Sequence, residues 1–296
     1  MSANSSSGSR PHVACEIASD RVLAGRVSGL GSVEFAAYDL KPGSVVPDLT
    51  ESNLRNRSAV SQTVRDTLNS VGGRNRDVIA VLPDAAVRVV LLDFEMLPGK
   101  RVEAEGVVRF RLKKSLPFDV EKAKVSYHVQ SSGSGVRVVA AVALASVVEE
   151  YEAAFVEAGY NPGIVVPSML AALGAARADR PVLIAKVDTR TTSIAILDQN
   201  QLLLFRTLEN PDGTAITGER LAEEVYPSVV FFQDTYHLNL DRLYIAGLPN
   251  LTGAAPALRA QTGIEVQDLV SASQLGGGRG QIPKWQIAGV VGALSS

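Results

Sequence analysis

The chain has 296 residues, 46% of them hydrophobic and 20% charged, a balance typical of globular proteins long enough to build two cored domains. Its 29 basic and 31 acidic side chains nearly cancel, so no whole-molecule field recruits nucleic acid. The single cysteine, Cys15, excludes a disulfide framework and a cysteine-based metal centre, as expected of a protein in a reducing cytoplasm.

Residues 1–11 begin with MSANSSSGSR, polar and small without the apolar stretch of a signal peptide, and read as a disordered tail. HVACEIA, RVLAGRV and SVEFAAYDL follow as three strands joined by tight turns. A helix is predicted over 58–71, with Val60, Val64, Leu68 and Val71 on one face and Gly72-Gly73 ending it. DVIAVLPD and VRVVLLDF are the next apolar strands. Over 103–115, Val108 and Leu112 continue to Leu116 at four-residue spacing, with Arg109, Arg111, Lys113 and Lys114 on the other side. This predicts a surface helix stopped by Leu116-Pro117-Phe118. Its basic patch reads as a solvated face balanced by Glu103, Glu105 and Glu121, with anionic headgroups or an acidic partner as the alternative.

KVSYHVQ and VRVVAAVAL are predicted strands across the turn SSGSG. The longest apolar run, 136–148, has 13 residues and contains Arg137, short of the ~18 a spanning helix needs. Membrane contact is therefore expected only through a partner. Val147, Tyr151 and Phe155 mark a helix that stops at Gly159, and IVVP leads into another, expected to be capped by Ser168 and to end near residue 178.

At RADRP the layout starts again. PVLIAKVDTRTTSIAILDQNQLLLFRTL repeats strand, polar turn, strand, turn, strand, with Asp198-Gln199-Asn200-Gln201 as the second turn. Laying Glu16 on Asp188 brings Val22 onto Ile194, a faint internal duplication. A long helix over 217–237, the buried strand RLYIAGL, a further helix, the strand IEVQDL and the small-residue helix in WQIAGVVGALSS complete the chain.

A hairpin start, a helical and β insertion, and a second hairpin start resemble the actin-like layout, two α/β halves around a nucleotide cleft. VLPDAAVRVVLLDFEMLPG, LKKSLPFDVEKAKVSYHV, VAAVALASVVEEYEAAFVEAGYNPGIVVPSMLAALGAA and ERLAEEVYPSVVFFQDTYHLNLDRLYIAGL resemble, in order and spacing, the PilM family of type IV pilus assembly proteins. That family is similar to the division protein FtsA and to the cytoplasmic part of the secretion protein GspL. The resemblance covers residues 13–293 and rests on order along the chain rather than on one diagnostic motif. It implies an α/β, actin-like (FtsA-like) two-lobed fold. The first lobe would span 12–95 and 160–178, an inserted αβ subdomain 96–159, and the second lobe 180–296. It further implies a scaffold rather than an enzyme, peripheral to the cytoplasmic face of the inner membrane. There it would grip the N-terminal peptide of a PilN-like membrane protein within the pilus assembly platform. The expected groove lies between the first half and the insertion, walled by residues 87–94 and 136–144. Self-association of the FtsA type, a GspL-like secretion role and a sugar-kinase-like enzyme are the other readings.

The resemblance also implies ATP with magnesium between two facing turns, whose backbone N–H groups and hydroxyls close on phosphate. The family's first turn carries Asp-Ile-Gly and serines, whereas here it reads Glu16-Ile17-Ala18-Ser19-Asp20-Arg21. Ser19 is its remaining candidate, and Asp20 brings a negative charge towards the phosphate position. The second turn offers Asp188 as the magnesium ligand and Thr189, Thr191 and Thr192 as phosphate donors, with Arg190 where glycine is usual. Gly247, in Ile245-Ala246-Gly247-Leu248-Pro249, stands at the adenine position. Gly276-Gly277-Gly278-Arg279-Gly280 lacks the strand and Lys-Ser/Thr of a P-loop and reads as a connector. His12, His128 and His237 have no ligand spacing, and Glu219, Glu223 and Glu224 read as a solvated helix face.

Overall fold

A computed structural model describes residues 10–28, 32–133, 135–210, 213–271, 274 and 282–295. The 1–9 part of the expected tail, Ser134 of the SSGSG turn and the 276–280 glycine stretch lie outside the described residues. In chain order the elements are β1 (Val13–Ile17), β2 (Arg21–Val27), β3 (Val33–Asp39), α1 (Arg57–Val71), β4 (Asp77–Leu82), β5 (Arg88–Phe94), α2 (Arg101–Leu112), β6 (Ala123–Ser132) and β7 (Gly135–Leu144). These are followed by α3 (Ala145–Glu157), β8 (Asn161–Pro167), α4 (Ser168–Ala172), β9 (Val182–Val187), β10 (Thr191–Asp198) and β11 (Gln201–Glu209). The chain closes with α5 (Gly218–Tyr236), β12 (Arg242–Ala246), α6 (Leu251–Thr262), β13 (Glu265–Asp268) and α7 (Ala288–Ser295).

Two sheets carry the same plan. The first runs β3-β2-β1-β4-β8 and the second β11-β10-β9-β12-β13. In each, three antiparallel strands lead into parallel neighbours on the far side of the first strand. The repeat read from Glu16 and Asp188 is therefore a repeat of topology. Continuous apolar runs build the middle of each sheet: all five residues of β1 are buried, as are Val182 to Lys186 of β9, because helices cover both faces. The β10–β11 turn uses Gln199 and Asn200 at φ 47° and 63°, a pair of left-handed residues whose twist matches that of the flanking strands.

Each lobe has its own outer core. Asn56 caps α1 by accepting from Ala59 N at 3.2 Å. Val60, Val64, Leu68 and Val71 then pack with Tyr151 and Phe155 of α3 over the first sheet. On the second sheet, α5 is capped by Thr217 and ended by His237 at φ 55°, and it buries Val225, Val229 and Phe232 against α6. A third core lies between the sheets, where α4 and α7 join Leu23 and Ile79 of one lobe to Ile184, Ala195 and Tyr244 of the other.

Several expectations need correction. The helix after IVVP is a single turn ending at Ala172, with a 3₁₀ turn over Leu173–Ala175, rather than a helix reaching 178. Packing of α7 across it outweighs the helix propensity of its alanines. Ser168 does not cap that helix: Pro167 holds the cap position, Asp84 Oδ1 accepts the Met169 N–H at 2.7 Å, and the Ser168 hydroxyl donates to Glu16. The basic helix starts at Arg101 and ends at Leu112 rather than spanning 103–115.

The lobe boundaries also shift. β5, assigned to the first lobe by the 12–95 span, forms the edge of a separate sheet ordered β5-β7-β6, covered by Val108 and Leu112 of α2. Conversely α3, assigned to the 96–159 insertion, packs into the first-lobe core because Tyr151 and Phe155 face α1 and the sheet. The inserted sheet packs Val89 and Val139 into the interlobe core and also reaches the second lobe through polar side chains. Arg137 grips Asp93 at 2.6 and 3.0 Å and reaches Leu203 O and Tyr236 Oη at 3.4 and 3.0 Å, while Gln130 exchanges bonds of 2.7 and 3.2 Å with the Leu202 backbone.

Gly292 is where α7 comes nearest to α4: a Cβ there would stand 2.1 Å from Ala171 O. Gly292→Ala is expected to destabilise the fold by about 2–3 kcal/mol through overpacking. An unchanged urea midpoint would show that the helices do not meet this closely.

Candidate functional site

The two repeated hairpins face each other across the interlobe cleft. In the first, Ala18 N–H donates to Arg21 O at 2.9 Å; in the second, Asp188 N–H donates to Thr191 O at 2.8 Å. Asn210 braces the second turn, donating from Nδ2 to Thr189 O and Thr214 O at 3.3 and 2.8 Å. The cavity between them measures about 270 Å³ and is lined by Glu16, Ala18, Arg21, Lys186, Asp188, Thr189, Gly247 and Trp285 among others. Arg21 lies over the Trp285 ring at 5.2 Å and pairs with Asp20 at 3.1 Å.

At the floor of this cleft sits a lysine. Lys186 Nζ is 3.5 Å from Asp84 Oδ2, 3.8 Å from Asp188 Oδ2 and 3.9 Å from Glu16 Oε1. Their side chains are 8%, 3%, 14% and 8% exposed in the order Lys186, Asp84, Asp188, Glu16, so solvent screens the charges little. Glu16 comes from β1, Asp84 from the turn after β4, and Lys186 and Asp188 from the end of β9. The cluster therefore ties one lobe to the other. Asp84 spends Oδ1 on the start of α4, while its buried Oδ2 accepts no hydrogen bond and faces the ammonium. Room for the Glu16 carboxylate and the Ser168 hydroxyl exists because position 289 is glycine: a Cβ there would stand 2.6 and 2.8 Å from them.

Burial raises the pKa of Glu16 and of Asp84, and the attraction of Lys186 only partly offsets it. For Lys186 burial works against the charge, but Asp84, Asp188 and Glu16 outweigh it and hold the ammonium above its usual value. The lysine thus stays charged, with three acids to balance it.

Of the residues expected to bind nucleotide, Asp188, Thr189 and Gly247 line the cleft. Ser19 opens instead onto a neighbouring cavity with Asp20, Thr189 and Arg190, and its Oγ is buried without a partner. Asp20 lines that neighbouring cavity and pairs with Arg21. Thr191 faces a further cavity with Asp84 and Arg190, and Thr192 Oγ1 is buried without a hydrogen bond. Alternation along β10 separates these hydroxyls. Gly247, at φ 80°, is needed for the backbone: a Cβ would stand 1.7 Å from Val187 O, and its N–H donates to Trp285 O at 2.8 Å.

Asp188, the expected magnesium ligand, is directed at Lys186, and among the described residues no three acid, His or Cys side chains are placed to hold a metal ion. Magnesium requires oxygens at about 2.0–2.1 Å in octahedral array; the acids here are arranged around an ammonium. Sequence reading missed Lys186 and Asp84 as site residues, although a lysine inside the apolar strand VLIAKV is the signal that marks it.

A chain in a PilM–PilN type IV pilus biogenesis complex matches this structure with TM-score 0.77 at 20% identity, over 96% of this chain and 98% of that one. The cytoplasmic domain of EpsL, an inner-membrane component of the type II secretion system of Vibrio cholerae, matches with TM-score 0.54 at 13% identity, over 96% and 94%. A Bacteroides thetaiotaomicron protein with an actin-like ATPase fold matches with TM-score 0.50 at 11% identity, over 86% and 89%. No protein-family model matches the chain, and no curated protein does. The fold is actin-like.

The cluster has a pH signature. A buried acid with a raised folded-state pKa binds protons more tightly folded than unfolded. Its contribution is thus full below the ordinary carboxylate value of about 4 and is lost as pH rises through the folded value. The raised lysine loses its contribution only above about pH 10.4. Glu16→Gln is therefore expected to flatten the decline of the urea midpoint between mildly acidic and neutral pH. Parallel wild-type and variant profiles would refute the assignment.

Proposed function

We propose that the chain is a non-catalytic adaptor on the cytoplasmic face of the inner membrane. It grips an extended N-terminal peptide of a PilN-like membrane protein within a type IV pilus assembly platform. The observation that carries this is a groove of about 200 Å³ between the first lobe and the inserted sheet, walled by Leu82, Val87, Val142, Val148, Val165 and Val166. Two strands with an unpaired edge contribute to it: β8 ends the first sheet and β6 ends the inserted one. An extended peptide pairs its backbone with such an edge while its side chains enter the apolar trough.

Ile164 on β8 and Val129 on β6 are 39% and 41% exposed, apolar surface on strands of that kind. Lys124 and Glu152, paired at 2.8 Å, supply a polar rim. The expected walls 87–94 and 136–144 contribute only Val87 and residues 141–143; β8, which the sequence reading did not name, supplies the opposite side. Likeness to the chain of a PilM–PilN complex supports the pilus reading. Likeness to the EpsL cytoplasmic domain favours a second one, in which the partner belongs to a type II secretion platform. Among the described residues no helix is long and apolar enough to cross a membrane.

Titration calorimetry with synthetic N-terminal peptides of a PilN-like and a secretion-type partner separates the two readings. Ser126→Glu, at an exposed groove position, is expected to weaken the cognate peptide by about tenfold or more, or roughly 1.4 kcal/mol, with the thermal midpoint retained. Binding of neither peptide would refute the adaptor role.

A further inference from the structure

The cleft that this fold ordinarily presents to a metal nucleotide is bridged by a side chain. We propose that the Lys186 ammonium is a built-in replacement for the divalent cation of an actin-like cleft, so that the lobes are held closed by the chain itself and without nucleotide.

The geometry supports each part. Lys186 Nζ lies within 4 Å of carboxylates from both lobes, Glu16 and Asp84 from one and Asp188 from the other. Glu16 and Asp188 are the residues that the duplication places at equivalent ends of β1 and β9. A cation drawn there by these acids meets one already covalently held, whose charge repels it at short range in a poorly screened place. Asp84 Oδ2, buried and without a hydrogen bond, points to the same ammonium; without it that oxygen is an uncompensated charge in the interior. The surrounding turns agree. Ala18 and Arg190 stand where close approach to phosphate favours glycine, and Arg21 stacks on Trp285 across the cavity.

Three measurements on the full chain test this. Thermal unfolding with and without millimolar ATP and magnesium is expected to show no shift in the wild type; a reproducible stabilisation would overturn the proposal. Lys186→Met is expected to lower the midpoint by on the order of 10 °C, and Lys186→Met with Asp84→Asn to regain part of that loss. A Lys186→Met protein as stable as wild type, or a double variant no better than the single one, would refute the counterion role. Should Lys186→Met fail to fold, the milder Asp188→Asn takes its place: it removes one of three partners and is expected to lower the midpoint by a smaller amount, no change counting against the proposal. Peptide affinity measured with and without magnesium ATP keeps this inference apart from the adaptor reading: the proposal expects no difference, and a nucleotide-dependent affinity would contradict it. A chain that binds no peptide yet ignores nucleotide would sink the adaptor role alone.

Discussion

A positive charge with almost no access to water organises the middle of this molecule. Lys186 stands at the end of the central strand of one lobe and is balanced by acids from both, so neither lobe can move away without exposing an unpaired charge in a poorly screened place. The apolar core between the sheets, built by α4 and α7, packs beside that contact. The glycines of α7 follow from the same constraint. Gly289 leaves space for the Glu16 carboxylate and the Ser168 hydroxyl, and Gly292 lets the helix lie on the Ala171 carbonyl.

The charge cluster and the apolar groove share structural supports. Leu82 closes β4 and lines the groove; two residues later Asp84 meets the lysine. Pro167 closes β8 and lines the groove, and the next residue, Ser168, donates to Glu16. The groove is thus built on strand ends whose positions the cluster anchors. Arg137 and Gln130 add a further tie from the inserted sheet to β11 and to Tyr236 of α5. A peptide held there would rest on a rigid support, which limits the ordering cost of binding.

Much of the fold was legible because local pattern and final environment agree. Strands buried on both sides read as continuous apolar runs, and the α1 and α3 faces read at helical spacing. Agreement failed where tertiary contacts overrode local preference. The alanine-rich stretch after Ser168 has the composition of a longer helix, yet α7 and the interlobe core leave room for one turn. Ser168 has the chemistry of a cap, but a buried carboxylate competes for its hydroxyl. Asp188, Thr189 and Gly247 were legible as cleft residues, whereas Ser19 and Thr191 line other cavities and Thr192 Oγ1 is buried, because strand alternation and turn geometry send hydroxyls close in sequence in different directions.

Order and periodicity were enough to show the repeat of the hairpins, and the resemblance they carry implied the two-lobed layout and glycine-free turns, since each is read from residues close in sequence. Tertiary structure decided what the cleft contains. Nothing local tells a lysine in an apolar strand that it will meet Asp84 and Glu16, which reach it only when two sheets pack face to face. The same holds for the groove, whose walls β6 and β8 are distant in sequence and become neighbours only because the inserted sheet leans on the first lobe. Long-range charge balance and facing strand edges are properties of the packed chain.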